Sequence, residues 1–151
     1  MNEISNILVI DDDESIRESI KLILEEERYL VDSAKNGIEA IEKSNTKYYN
    51  LALIDYRLPD INGTDLLKKM KKGIPKTIKI MVTGYPSMQN AINAVNNGAD
   101  GFLLKPVNMD NLLLTVKYQL KKQIEDKKYS EKKVAEFLES RVREIHPMAE
   151  L

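Results

Sequence analysis

The sequence has no cysteine and only one histidine, His146, among its 151 residues. Without cysteine the chain can form neither disulfide bonds nor thiolate metal sites. A single histidine excludes zinc sites built from several imidazoles and disfavours a Ser-His-Asp triad. Tryptophan is absent and aromatic residues make up 6% of the chain, so aliphatic side chains must form the core.

Neither an excess of one charge nor a long apolar run is present. The 23 basic and 24 acidic residues give a formal net charge of -1, whereas nucleic-acid-binding domains normally carry a basic excess. The first apolar run, residues 7–10, is too short for a signal sequence or a membrane span. We therefore expect a cytoplasmic protein without a membrane partner and without direct nucleic-acid contacts.

Short apolar runs alternate with helical patterns. The runs are residues 7–10, 51–54, 78–82 and 102–104, with a weaker run at residues 29–31. Runs of this length are typical of strands buried on both faces of a parallel sheet. The helical positions between them are Ile16, Ile20, Ile23 and Leu24; Ile38 and Ile41; Leu66, Leu67 and Met70; Met88, Ile92 and Val95; and Leu113, Val116 and Leu120.

The ends of these patterns complete the fold prediction. Asp13 or Glu14 is placed to cap the first helix, and the fifth helix begins near Asp110. Successive strand-helix units predict a doubly wound α/β sheet with right-handed crossovers.

The composition changes after Leu120, from alternating elements to a charged stretch. An apolar stripe then returns at Val134, Phe137, Leu138, Val142 and Ile145. We predict a domain of residues 1–121 and a charged amphipathic helical extension or linker over residues 122–151, because the latter is too short to bury its own core. The helix is expected to end at His146 and Pro147. A homodimer through this helix would cover the stripe; the alternatives are that the segment folds back onto the domain or that it frays.

Chemically complementary groups stand at the ends of four predicted strands. They are Asp11, Asp12 and Asp13 after the first strand, Asp55 after the third, Thr83 after the fourth and Lys105 after the fifth. In such sheets, ligands bind at the carboxyl ends of the strands. Clustered carboxylates need a cation, and oxygen ligands without His or Cys select a hard ion such as Mg²⁺. A carboxylate beside this ion can attack a phosphoryl group, while Lys105 and the Thr83 hydroxyl contact phosphate oxygens.

In this order and at these spacings, the residues resemble the receiver domain of bacterial and archaeal response regulators. The matching segments are ILVIDDDE at 7–14, DYRLPDING at 55–63, VTG at 82–84 and KP at 105–106. The resemblance implies a five-stranded sheet in the flavodoxin-like order 2-1-3-4-5, with helices on both faces. It also implies a phosphoacceptor signalling domain that takes a phosphoryl group from a sensor histidine kinase and signals to an output domain or downstream protein. Such a domain is no enzyme beyond catalysing its own phosphorylation and dephosphorylation.

The resemblance also implies roles for individual residues. Asp55 is the implied phosphoacceptor. The implied metal ligands are Asp11 (largely through water), Asp12, Asp55 and the backbone carbonyl of Arg57, with Mg²⁺ as the ion and Mn²⁺ as an alternative. The implied phosphate-binding and switch residues are Thr83, Lys105 and Phe102. The peptide bond from Lys105 to Pro106 is implied to be cis.

Two bulky residues are predicted to set the lifetime of the aspartyl phosphate. Arg57 and Tyr85 each lie two positions beyond an implied site residue, Asp55 and Thr83 respectively. We expect their side chains to flank the phosphoryl group and to impede the attacking water.

Other classes of protein fit the sequence less well. An enzyme of the haloacid-dehalogenase type, which also forms an aspartyl phosphate, requires a second acidic residue two positions after its nucleophile. Arg57 occupies that position here. A nucleotide-binding Rossmann protein needs a glycine-rich turn after the first strand, where three aspartates would repel a pyrophosphate. A degenerate or stand-alone receiver that acts by protein-protein interaction without phosphorylation is the remaining alternative. The intact set of site residues argues against it: Asp11, Asp12, Asp55, Thr83 and Lys105.

Overall fold

The computed structural model describes residues 4–70, 73, 75–84 and 87–145. Strands and helices alternate along the chain. The elements are β1 (Asn6–Ile10), α1 (Glu14–Glu26), β2 (Leu30–Ala34), α2 (Gly37–Thr46), β3 (Leu51–Asp55), α3 (Gly63–Lys69), β4 (Ile78–Thr83), α4 (Met88–Asn96), β5 (Gly101–Leu104) and α5 (Met109–Ile145). The chain divides into two compact units, of which the first ends at Leu120 and the second begins at Lys121.

The five strands form one parallel sheet in the order β2-β1-β3-β4-β5, so the predicted fold class and strand order are confirmed. The weak run at residues 29–31 is a strand that begins and ends later, at Leu30 and Ala34. Its pattern is weak because β2 lies at the edge of the sheet and pairs with β1 alone. Edge strands are covered less completely and therefore carry fewer apolar residues.

Apolar side chains cover both faces of the sheet. On one face the fully buried residues include Ile7, Val9, Ile20, Leu24, Leu51, Leu53, Ile80, Leu112 and Val116, from β1, β3, β4, α1 and α5. On the other they include Leu8, Ile10, Ala40, Ala52, Ile54, Leu66, Leu67, Met81 and Ala94, from the central strands and α2, α3 and α4. This two-sided burial explains why the central strands are apolar at consecutive positions.

Each helix of the first unit begins at a polar side chain that accepts a hydrogen bond from the backbone N–H three residues later. The pairs are Asp13 with Ile16, Asn36 with Glu39, Asn62 with Asp65, Ser87 with Asn90, and Asn108 with Asn111. A cap of this kind is worth about 1 kcal/mol. The prediction that Asp13 or Glu14 caps the first helix is confirmed for Asp13.

Helix α4 exists as predicted, but its apolar stripe faces outward. Met88, Ile92 and Val95 are 78%, 44% and 64% exposed, and the buried residue of this helix is Ala94. Ala94 belongs to the core on this face of the sheet. In the edge strand β5 the first three residues are partly buried and Leu104 is exposed. Periodicity therefore predicted the helix correctly but not the face that packs.

The described part of the second unit, residues 121–145, is helical and belongs to α5. Its large apolar side chains are exposed: Ile124, Tyr129, Val134, Phe137, Leu138, Val142 and Ile145. The predicted helix end at His146 and Pro147 lies outside the described residues. No helix among the described residues is long and apolar enough to cross a membrane.

Candidate functional site: the acidic edge of the sheet

The parallel sheet brings the predicted site residues to one edge. Asp55 and Thr83 are the last residues of β3 and β4, while Asp11 and Lys105 directly follow β1 and β5. Backbone hydrogen bonds continue to this edge, from Tyr56 N to Val82 O (2.9 Å) and from Lys105 N to Thr83 O (2.8 Å). The backbone that carries the site is therefore held by the sheet itself.

Three carboxylates cluster at this edge, which we call the acidic edge. One carboxylate oxygen from each of Asp11, Asp12 and Asp55 lies within 4.8 Å of the others. Asp11 and Asp55 are 3% and 6% exposed, whereas Asp12 is exposed. An all-oxygen donor set with one face open to solvent suits a hard divalent cation that retains some of its water, so these residues fit Mg²⁺.

The ammonium of Lys105 lies between two of the carboxylates. Its Nζ is 3.0 Å from Asp11 Oδ2 and 3.3 Å from Asp55 Oδ1. Partial burial acts to lower the pKa of Lys105, but its contacts with Asp11 and Asp55 outweigh this effect and raise the pKa above its ordinary value. Lys105 is therefore cationic at neutral pH and supplies the positive charge of the edge.

The carboxyl group of Asp55 binds its proton unusually tightly. Burial is the main cause and repulsion from Asp11 the second, and together they raise the pKa of Asp55 to about 6. Lys105 and the N–H of Arg57, which lies 3.4 Å from Asp55 Oδ1, act in the opposite direction without cancelling the shift. The ionised form of Asp55 is thus under-compensated, and a bound cation would favour it.

The turn after β1 holds Asp11 in place. Asp11 Oδ1 accepts a hydrogen bond from Asp13 N (2.9 Å), and its backbone carbonyl accepts one from Arg17 Nη1 (2.8 Å). The part played by Arg17 was not predicted, since nothing in the local pattern separates this arginine from an ordinary solvent-exposed one. Together these bonds present the second oxygen of Asp11 to Lys105.

Thr83 and Phe102, the predicted switch pair, lie on adjacent strands. Phe102 is opposite Met81 in the register, and Thr83 is two residues beyond Met81. Because side chains alternate along a strand, Phe102 and Thr83 belong to the same face of the sheet. Thr83 is buried and Phe102 half-buried. The peptide bond between Lys105 and Pro106 is cis, which confirms that expectation.

The loop between β3 and α3 (residues 56–62, the β3–α3 loop) carries Arg57, whose side chain is exposed. Arg57 forms a backbone bridge with Asn62, and Gly63 N donates to Tyr56 O at 2.7 Å, so the base of the loop is closed. Its Asp60 reaches the start of α2, a contact that the sequence did not indicate. Tyr85, the second predicted lifetime residue, lies outside the described residues.

Comparisons with known proteins agree with this geometry. A family model described as the response regulator receiver domain matches residues 7–117. A CheY-like response regulator receiver domain protein from Methanospirillum hungatei has a crystal structure that is similar with a TM-score of 0.78 and 44% identity, covering 82% of this chain and 99% of that one.

Two curated relatives are longer than this chain. Transcriptional regulatory protein ZraR of Klebsiella oxytoca is 36% identical over 111 residues, which are 74% of this chain and 25% of the relative. Response regulator ArlR of Staphylococcus epidermidis is 29% identical over 119 residues, which are 79% of this chain and 54% of the relative. The chain thus spans about a quarter to a half of these proteins' lengths.

The doubly wound parallel sheet, with clustered carboxylates and a lysine at its carboxyl edge, agrees with the family match, which identifies a signalling domain rather than a classical enzyme. The chain belongs to the response regulator receiver domain family, whose members act in two-component signalling.

Proposed function

We propose that Asp55 accepts a phosphoryl group from the phosphohistidine of a sensor histidine kinase, in a reaction that needs Mg²⁺. The observation that carries this proposal is the meeting of Asp11 and Asp55 on one ammonium, Lys105 Nζ, beside the exposed Asp12. Asp55 is the acceptor because it combines a central position at the end of β3 with a carboxylate that lacks sufficient compensating charge.

In the reaction, an Asp55 carboxylate oxygen attacks the phosphorus atom and forms the new P–O bond. The P–N bond to the donor imidazole breaks, and its electron pair returns to the imidazole nitrogen. Because the pKa of Asp55 is about 6, most of this carboxyl group is ionised at neutral pH and ready to attack. Lys105 is already in contact with Asp55 and needs only a small movement to reach a phosphoryl oxygen.

Asp11, Asp12, Asp55 and the backbone carbonyl of Arg57 would hold Mg²⁺, or Mn²⁺ with the same ligands. When bound, the ion supplies charge that neutralises the phosphoryl oxygens and the clustered carboxylates. The Thr83 hydroxyl then binds a phosphoryl oxygen, and the Phe102 ring turns inward behind it. The new contacts bias a two-state equilibrium toward the signalling state.

Incubation with acetyl phosphate and Mg²⁺, followed by intact-mass measurement, tests the proposal. The wild-type protein should gain one phosphoryl group, and Asp55→Asn should gain none. Asp126→Asn, a change of the same kind in the second unit, should be labelled like wild type. A labelled Asp55→Asn would contradict the assignment, and an unlabelled wild type would favour the degenerate receiver.

Arg57 and Tyr85 are proposed to lengthen the lifetime of the aspartyl phosphate by impeding the attacking water. The support from the structure is that the backbone of Arg57 lies beside Asp55 while its side chain is exposed. Replacing both residues with small ones should increase the rate at which labelled protein loses phosphate. An unchanged rate would show that these side chains point elsewhere.

We further propose that the receiver comprises residues 1–121 and that residues 122–151 form a linker through which two copies of the chain associate. The support is the row of exposed apolar side chains at helical spacing, from Ile124 through Phe137 to Ile145. The protein would act in the cytoplasm, with the histidine kinase as donor and an output domain or downstream protein as the recipient of the signal.

A further inference from the structure

The β3–α3 loop is fastened at its apex to a helix that precedes it by more than twenty residues. Asp60 Oδ1 accepts a hydrogen bond from Gly37 N (2.8 Å), and Asp60 Oδ2 accepts one from Ile38 N (2.9 Å). These two N–H groups open α2, where no carbonyl of the same helix is available to them. Asn36 satisfies only the third group, Glu39 N, at 2.8 Å. The loop therefore completes the cap of α2.

Charge and shape both support this attachment. A carboxylate at a helix N-terminus interacts favourably with the partial positive charge there, and the hydrogen bond from Gly37 is the main reason that the pKa of Asp60 lies below its ordinary value. Ile61 packs where a side chain at Gly37 would be, since an added Cβ would clash with Ile61 Cγ2. Glycine at this position thus allows the loop to approach.

Arg57 lies between two fixed points of the loop. The base is closed by the bridge from Arg57 to Asn62 and by the 2.7 Å hydrogen bond from Gly63 N to Tyr56 O. The apex is held by Asp60 on α2. These contacts hold the backbone of Arg57 beside the carboxylate of Asp55, with Arg57 N 3.4 Å from Asp55 Oδ1.

We propose that Asp60 is a positioning residue for the cation site. By holding the loop on α2 it keeps the carbonyl of Arg57 where it completes the ligands supplied by the acidic edge. The inference rests on the proposed Mg²⁺-dependent function and extends it to a residue that contacts neither the ion nor the phosphoryl group. Groups that orient metal ligands affect affinity strongly although they do not touch the metal.

The test is a titration of the full chain with Mg²⁺. The dissociation constant is measured from the NMR chemical shifts of the backbone amides of Asp12 and Arg57. Asp60→Ala should weaken Mg²⁺ binding on the order of tenfold, the lower end of the effect seen when the support of a metal ligand is removed. Gly37→Ala should weaken Mg²⁺ binding to a similar extent, because the added methyl group displaces Ile61. This variant changes α2 and leaves the sequence of the β3–α3 loop intact. Asp60→Asn, which keeps an acceptor oxygen, should recover part of the affinity.

Asn36→Ala is the matched control, because it removes a cap from the same helix without touching the loop. It should lower stability but leave the Mg²⁺ affinity unchanged. Equal weakening in Asn36→Ala and Asp60→Ala would overturn the inference, since the effect would then come from α2. Wild-type affinity in Asp60→Ala would overturn it while leaving the proposed function intact. A wild-type protein that does not respond to Mg²⁺ would overturn both.

Discussion

The acidic edge and residues 121–145 hold side chains in opposite kinds of unfavourable surroundings. At the acidic edge, Asp11 and Asp55 are 3% and 6% exposed, although ionised carboxylates are most stable in water. In residues 121–145, Phe137 and Ile145 are 60% and 69% exposed, although large apolar side chains are most stable away from water. Additional positive charge would stabilise the acidic edge, whereas contact with another apolar surface would stabilise residues 121–145.

Because of this difference, the stability of each region depends on a different solution variable. Electrostatic energy at the acidic edge depends on pH, bound cations and the phosphoryl group. The free energy of covering an apolar face depends on another surface, and therefore on protein concentration when that surface is a second copy. We expect variants in one region to leave the response of the other unchanged.

The largest expected effect on stability comes from removing Lys105. Lys105→Met should lower the free energy of unfolding by about 3 kcal/mol at pH 7, because it leaves Asp11 and Asp55 close together without their shared ammonium. Urea unfolding measures the change. Lys117→Met is the control, because Lys117 Nζ forms an exposed ion pair with Glu27 at 3.0 Å, and such pairs contribute about 0–1 kcal/mol. Equal losses of unfolding free energy in the two variants would mean that Lys105 stabilises the protein no more than an exposed ion pair does.

Asp55→Asn should stabilise the protein without Mg²⁺ by about 1–3 kcal/mol at pH 7, from the free energy of a pKa shift of this size. The pKa of Asp55 rises from 3.8 to about 6 on folding, so the folded state binds the proton more tightly. The stability that this proton contributes is complete below pH 3.8 and is lost as the pH rises through about 6. The increase in unfolding free energy caused by Asp55→Asn should therefore be small at pH 4 and should reach its maximum at pH 7 and above.

Urea unfolding of both proteins between about pH 4 and pH 8 measures this dependence, since the difference in proton binding sets its slope. A stabilisation that does not change with pH would show that packing, and not ionisation, is the cause. Mg²⁺ should stabilise the wild type and reduce the advantage of the variant.

In the second unit, Phe137→Gln combined with Leu138→Gln should shift a dimer toward monomer at least tenfold. Each replaced side chain contributes about 1.5–3 kcal/mol when fully covered. Light scattering over a range of concentrations measures the shift, with Glu139→Gln as the control on the same helix. The pH dependence and Mg²⁺ response of the receiver unit should not change. A wild-type chain that stays monomeric at every concentration, phosphorylated or not, would contradict the proposed dimer, as would a dimer in a truncation ending at Lys122.

The smallest effect on stability is expected at Asp12. Asp12→Asn should stabilise the protein without Mg²⁺ by less than about 1 kcal/mol, because repulsion between carboxylates is weak where one is exposed to water. It should also weaken Mg²⁺ binding and prevent phosphorylation. Urea unfolding in the presence of EDTA measures the first effect. A strong destabilisation would show that Asp12 has a structural role.

The sequence by itself determined the features that depend on neighbouring residues. Apolar runs located the buried strands, and the cap residue Asp13 located the start of the first helix, because both signals lie within a few positions of the element that they specify. The predicted site residues Asp11, Asp55 and Lys105 converge for a topological reason, since the carboxyl ends of parallel strands meet at one edge. Placing the acidic groups on strand ends was therefore sufficient to bring them together.

Tertiary structure decided what depends on residues far apart in the chain. Asp60 meets α2, and Arg17 supports Asp11, through contacts that no periodicity encodes. Val95 lies on a correctly predicted helix but faces outward, because the side of α4 that packs depends on what the neighbouring strand offers. The raised pKa of Asp55 has the same origin: burial and the distance to another carboxylate are properties of the folded chain, and a sequence position alone contains neither.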